Sequence, residues 1–273
     1  MSEFVALDES RLASRGQVTL TLLRAERRNA LTRQMLHDLI AALAMIEQHS
    51  KVRVLVLKST GTVFCAGMDL GEMQAHAHAP DKEQQWQLDS ELYAEVLSRL
   101  FRLPFPTVAQ VQGPVLAGGV GLILACDFVL SSHTAFFALP EPVRGITAAI
   151  VTPFLIYRIG AGPAGQWLLA GQRMTAEQAQ GSGLGFWVGE PEQLEGQVEQ
   201  LTTSILTGAP TALAITKRHW HDCTQAAAVL QQAQESIRVS AEARQSPDAR
   251  EGLAAFLEKR SPLWSVEQQT TNR

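Results

Sequence analysis

Residues 17–23 read QVTLTLL, with apolar and polar positions alternating at the period of a half-buried strand. Over 29–48 the period changes. Leu31, Met35, Leu39, Leu43 and Ile46 recur at helical spacing, with Leu36 and Ile40 beside them. Residues 52–57 form a short run rich in β-branched side chains and predict a second strand. A glycine-bearing loop is expected over 61–71, and the polar stretch 76–85 reads as a mobile loop. Leu88, Leu92, Val96, Leu97, Leu100 and Leu103 then define an amphipathic helix, which Pro104 and Pro106 end. Residues 107–112 predict a third strand and 128–131 a fourth. Between them lie a glycine-rich turn and an apolar stretch over 120–126. Strands alternating with helices predict an α/β layered fold.

The last third is helical in period. Helices are expected over 191–206, 211–220, 224–244 and 247–259, the last announced by Ser246 as cap and Pro247 at the first helical position. The expected organisation is an α/β core with the ligand site over 1–203 and a helical region over 204–273. No Gly/Ser-rich linker and no internal repeat separates the two. The apolar faces of these last helices exceed what one thin layer buries, so self-association is expected.

Composition narrows the possible chemistry. Hydrophobic residues make up 46% of the 273 positions and charged residues 18%, an ordinary globular balance. The formal net charge is −4, which removes nucleic acid as a default partner. The three cysteines have no CxxC spacing, so neither a disulfide framework nor a zinc site is expected, and no metal is assigned. The start, MSEFVALDES, lacks the apolar stretch of a signal peptide, and the longest apolar run, 115–126, is too short for a membrane span. A cytoplasmic protein with no membrane partner is expected.

Three segments carry candidate chemistry: Phe64-Cys65-Ala66-Gly67-Met68-Asp69-Leu70, then 113–122 (GPVLAGGVGL), then Ala138-Leu139-Pro140-Glu141-Pro142. In the second, a strand runs through small residues into a helix. The first N–H groups of a helix have no intrahelical partner, and glycine lets a ligand oxygen approach them. Such a turn can hold developing negative charge without a side chain. Taken singly, each segment has a plainer reading. The glycines permit close packing, FCAG makes a turn, Asp69 caps a helix, and Glu141 is a surface acid.

In their order and separation the three resemble the crotonase, or enoyl-CoA hydratase/isomerase, superfamily. The likeness runs through RRNAL at 27–31, FCAGMDL, QGPVLAGGVGLILACD, ALPE, GPAGQWLLAGQRMTAEQA and FLEKRSPLW. It implies a spiral of repeated ββα units followed by a C-terminal helical trimerisation region, in a homotrimer or a dimer of trimers. It implies an acyl-CoA thioester as substrate and no separate cofactor. By the resemblance, Ala66 and Gly118 give the two N–H groups that hold the thioester oxygen, and Glu141 is the catalytic carboxylate. Ala66, Gly67, Met68 and Asp69 line the CoA path. Arg28 is a candidate phosphate contact, and Phe256 and Lys259 resemble residues that reach the CoA of a neighbouring subunit.

One departure matters. Typical hydratases of this family carry a second glutamate three residues after the oxyanion-hole glycine, and here that position is Gly121. The only acid between Pro106 and Pro140 is Asp127, which on a helix lies about 9 Å further along the axis on another face. One carboxylate must then do all the proton transfer. That fits a hydratase with Glu141 as both base and acid, or a Δ3,Δ2-enoyl-CoA isomerase in which Glu141 carries a proton between two carbons. AGGVGLILACD followed by LPEPVRGITAAIVTPFL resembles the branch that hydrates 3-branched glutaconyl-CoA thioesters, 3-methylglutaconyl-CoA and isohexenylglutaconyl-CoA, the latter in acyclic terpene breakdown. In that setting Gly121 makes room for the branch, or the substrate's own distal carboxylate takes over the missing acid's task with Arg144 as its partner. Gly121 also keeps open a homologue that binds acyl-CoA or RNA without turnover.

Overall fold

The computed structural model describes residues 3–77 and 79–265; His78, inside the expected loop, and the end of the expected helical region lie outside them. Six strands form one sheet in chain order: Val5–Asp8, Gln17–Leu22, Val54–Ser59, Thr107–Val111, Phe128–Ser132 and Trp187–Gly189. The first pair is antiparallel and the others are parallel. Residues 54–57 are buried one after another because the sheet is covered on both faces. Leu55 and Leu57 join the main core, while Val54 and Val56 pack with Leu194, Val198 and Ile205 of the Pro191–Thr207 helix.

A second, three-stranded sheet contains Val115–Leu116, Phe136–Ala138 and Arg173–Thr175. Over 107–138 the strands of the two sheets alternate, and each pair is followed by helix. Thr107–Val111 and Val115–Leu116 precede the Gly118–Leu124 helix; Phe128–Ser132 and Phe136–Ala138 precede the Thr152–Ile159 helix. This is the expected α/β, ββα order. Its consequence for function is local. Cys65 pairs in parallel with Val115, Val115 with Phe137, and Leu31 with Met68. The chain ends leaving these pairs, 66–68, 116–118 and 138–141, therefore emerge side by side.

Two expectations need correction. The segment 76–85 is a loop only between two helices: Leu70–Ala77 is a helix and Lys82–Arg102 begins another, six residues before the first leucine of the expected stripe. Polar residues hid it because their partners are distant in sequence. Arg33 donates to Gln85 Oε1 at 2.7 Å and to Asp89 Oδ1, and His76 Nδ1 lies 2.8 Å from Asp89 Oδ2. The helix expected from residue 29 starts at Arg33, where Thr32 Oγ1 caps Met35 N–H. Arg28 and Asn29 are in the left-handed region, at φ 55° and 52°. The buried Asn29 amide holds this turn by donating to the carbonyls of Thr60 and Val63.

The C-terminal helices Pro210–Cys223, Ala226–Ala243 and Pro247–Leu257 form as read, and none of the described helices is long and apolar enough to cross a membrane. They are not a detached layer. Ala226, Val229, Ala233 and Ile237 join the main core, and Lys217 forms a buried ion pair with Asp127 at 2.7 Å. Asp127 also accepts from Thr107 N–H and Oγ1, so the only other acid near Gly121 in sequence is a structural group.

Candidate active site

The three emerging ends meet at a cavity of about 470 Å³, lined among others by Ala66, Met68, Gly118, Glu141 and Phe256. Glu141 follows Pro140 and opens a short turn of 3-10 helix, Glu141–Arg144. Its side chain is 6% exposed and Oε2 has no hydrogen-bond partner among the described residues. Burial pushes its carboxyl from 4.5 up to about 7, against a hydrogen bond from its own backbone and the charges of Arg144 and Arg244, which act to lower it. A carboxyl so placed exchanges protons near neutrality.

Backbone geometry corrects one of the two expected N–H donors. Ala66 N–H is spent on the Arg28 carbonyl at 3.0 Å, and Gly67 N–H faces Cys65 Sγ at 3.5 Å. The next, Met68 N–H, finds no acceptor among the described residues, and neither does Gly118 N–H. The parallel register makes the difference. Leu31 N–H donates to the Gly67 carbonyl and Asp69 N–H to the Leu31 carbonyl, so Met68 N–H, between them, points away from the pairing. Met68 and Gly118 are held together by Gly67, at φ 86°. A Cβ there would fall 2.6 Å from Ala117 Cβ and 3.0 Å from Gly118 N. Ala117 itself is strained, at φ 50° and ψ −126°, and this conformation turns the Gly118 N–H out of the preceding strand. Two such N–H groups side by side can hold a carbonyl oxygen as it gains charge.

Tyr93 explains Gly121. The phenol donates to the Gly118 carbonyl at 2.6 Å, and a Cβ on Gly121 would lie 2.1 Å from Tyr93 Oη and 2.9 Å from Leu97 Cδ1. Gly121 therefore makes room for a tyrosine and not for substrate, which corrects its expected place in the binding site. A glutamate there would displace Tyr93. Burial, with Cys65 and Glu141 nearby, raises the phenol well above its ordinary range, so it stays protonated. Its hydrogen is given to Gly118, and the oxygen keeps its lone pairs at the cavity wall. Burial also pushes the Cys65 thiol up to about 12; its Sγ donates to the Asn29 carbonyl, so it is no nucleophile.

Asp69 lines the cavity, but its carboxylate is structural. Oδ2 takes Arg24 Nη1 at 2.7 Å, and Oδ1 caps the Leu70–Ala77 helix through Gly71 and Glu72 N–H. Arg28 lies at the cavity wall with Arg27, both exposed, where a phosphate can meet them. Phe256 lines the cavity of its own chain and stacks on Arg144, whose Cζ lies 3.4 Å from the ring centroid. Lys259 is exposed and is not among the residues lining the cavity.

The sequence matches the family model for enoyl-CoA hydratase/isomerase over residues 13–268. The chain belongs to the enoyl-CoA hydratase/isomerase family. A crystal structure of an enoyl-CoA hydratase from Mycobacterium avium superimposes with a TM-score of 0.84 at 31% identity, covering 97% of this chain and all of that one. The 2,3-dehydroadipyl-CoA hydratase of Escherichia coli is 31% identical over 96% of this chain and 98% of its own length. The 1,2-epoxyphenylacetyl-CoA isomerase of the same organism is 30% identical over 92% and 95%. These relatives agree with the expected fold and with a hydratase-type enzyme acting on acyl-CoA thioesters. Their names span addition of water and isomerisation, so the family alone does not choose between them.

Tyr93 was missed because it continues the apolar stripe of Leu97 and Leu100 and reads as a core residue. Met68 was missed because which N–H is free depends on strand register and not on residue type.

Proposed function

We propose that this protein adds water across the α,β double bond of an enoyl-CoA thioester, with Glu141 as its single acid–base group. The observation that carries the proposal is the buried carboxyl of Glu141, near neutral in pKa, with an unpartnered oxygen in the same cavity as two free N–H groups. The thioester oxygen sits on Met68 and Gly118 N–H. Ionised Glu141 takes a proton from water as the water oxygen bonds to Cβ, and the π electrons move through Cα to the thioester oxygen. The resulting enolate collapses as Glu141 returns that proton to Cα. The electron count closes with no cofactor beyond the CoA of the substrate. Tyr93 Oη, at the cavity wall beside Gly118, accepts a hydrogen bond from the water and takes the orienting task of the absent second acid.

The finer reading is a 3-branched glutaconyl-CoA thioester of the isohexenyl type, in a homotrimer or dimer of trimers. Its support is the likeness around the AGGVGLILACD and LPEPVRGITAAIVTPFL segments. The second reading, Δ3,Δ2-enoyl-CoA isomerisation, is favoured by the single carboxylate, since moving one proton between two carbons needs no second group. Turnover of enoyl- and glutaconyl-CoA thioesters in heavy-oxygen water separates the two. A hydratase puts the label on the β-carbon. Double-bond migration without label sinks the hydratase reading.

A further inference from the structure

Arg144 and Arg244 both line the cavity beside Glu141, and both also line a smaller adjoining hollow with Trp86 and Leu253. Each residue is half-buried as a whole, yet Nη1 of each is buried and has no hydrogen-bond partner among the described residues. Burial holds both below the ordinary arginine range, with Glu141 opposing for both and Asp89 for Arg244. A guanidinium cannot give up its proton to escape this, so a buried one needs an anion.

The neighbouring acids do not serve. Asp89 Oδ1 is taken by Arg33 Nε and Nη2 at 2.9 and 2.7 Å, and Oδ2 by His76. Glu251 is bound by Arg260 and by Leu263 N–H. Glu141 Oε2 has no hydrogen-bond partner among the described residues, so neither arginine is bound to it. Two cations therefore face one apolar-walled space with their anion still to come. Arg144 is held in place by the Phe256 ring under its face, which leaves its edge free.

We infer that Arg244 and Arg144 form an anion subsite that takes a second carboxylate on the acyl part of the substrate. The inference rests on the proposed function in one respect, that the reacting carbons sit at Glu141. A carboxylate a few bonds beyond them falls among these arginines, and its planar pair of oxygens suits a guanidinium edge. The CoA phosphates are the other possible source of negative charge, but they have the exposed Arg27 and Arg28.

Calorimetric titration of the full-length protein with glutaryl-CoA and butyryl-CoA tests this. Neither has a double bond, so binding is read without turnover. The wild type binds glutaryl-CoA about tenfold or more tighter, as expected for a charge-assisted hydrogen bond. Arg244→Gln abolishes that preference and leaves butyryl-CoA affinity within about twofold, which also reports a folded site. Arg244→Lys restores part of it. Arg144→Gln is the second variant should the first not fold. Equal affinity of the wild type for both thioesters overturns the inference. So does an equal loss for both in Arg244→Gln, which would place a CoA phosphate on the arginine. A glutaryl-CoA preference without heavy-oxygen incorporation into any enoyl-CoA leaves the subsite standing and removes the hydratase. Label incorporation with no preference does the reverse.

Discussion

Replacing Glu141 with glutamine keeps the shape of the side chain and removes its ability to ionise. The wild-type carboxyl titrates at about 7 in the folded protein against 4.5 when exposed. The folded state therefore binds the proton more tightly than the unfolded state. Stability tied to this group is fully present below about pH 4.5 and is lost as pH rises through about 7, because the fold must then bury a charge. At 1.36 kcal/mol per unit the loss is about 1 kcal/mol at pH 5 and about 3 kcal/mol at pH 8. The glutamine variant does not suffer it. Its stability relative to wild type should thus rise by about 2 kcal/mol between those two conditions. Any constant effect of the new amide on Arg144 and Arg244 cancels in this difference. Urea unfolding of both proteins at pH 5 and pH 8 measures it. Turnover of the variant should meanwhile fall about a hundredfold or more, while wild-type kcat/KM rises with pH through about 7 as the base ionises. A stability difference that does not change with pH would refute the burial argument, and an unchanged turnover would refute the role in proton transfer.

Tyr93→Phe should lower hydration about tenfold or more while leaving solvent exchange of the α-proton of butyryl-CoA intact, since exchange needs Glu141 and the two N–H groups but no bound water. Equal loss in both would mean that the phenol only supports Gly118. Gly121→Ala should cost about 1–3 kcal/mol through the contact of its Cβ with Tyr93 Oη, and less in the Tyr93→Phe background, where the hydroxyl is gone. A double-mutant cycle by denaturant unfolding reads that coupling; additive costs would rule out the clash. Lys217→Met should destabilise by about 3–5 kcal/mol, because it leaves Asp127 buried with only the Thr107 hydrogen bonds at that carboxylate, and should leave KM unchanged.

Much of the fold was legible in the periodicity. The strands near 17, 54, 107 and 128 and the last helices all stand close to where apolar spacing puts them, because each buries one face or both against a continuous core. The helix over 70–77 and the start of the next were not legible. Their order comes from Arg33, Asp89 and His76, whose pairing no local pattern records. At the site, Glu141 and Gly118 could be found from their motifs. The free N–H of Met68 could not, because register decides whether Ala66 or Met68 is spent on the Arg28–Leu31 segment.

Gly121 shows how far a single position can be read. As a sequence feature it records only a missing acid. In the structure the same glycine is the condition for Tyr93, and Tyr93 joins the helix bearing the free Gly118 N–H to the cavity wall. Arg244 works in the opposite direction. In sequence it is an ordinary basic residue at a helix end, where the helix dipole favours it. Folding brings it to the cavity wall and leaves its Nη1 buried without a hydrogen-bond partner among the described residues. The charges that act on Glu141 are those of Arg144 and Arg244, and position 121 holds no second acid beside it. Such a site suits a substrate that brings negative charge of its own. The charge it brings would also offset the two arginines that now hold Glu141 down. Bound substrate should therefore make Glu141 a stronger base than it is in the free enzyme, and the pH midpoint of kcat should lie above that of kcat/KM.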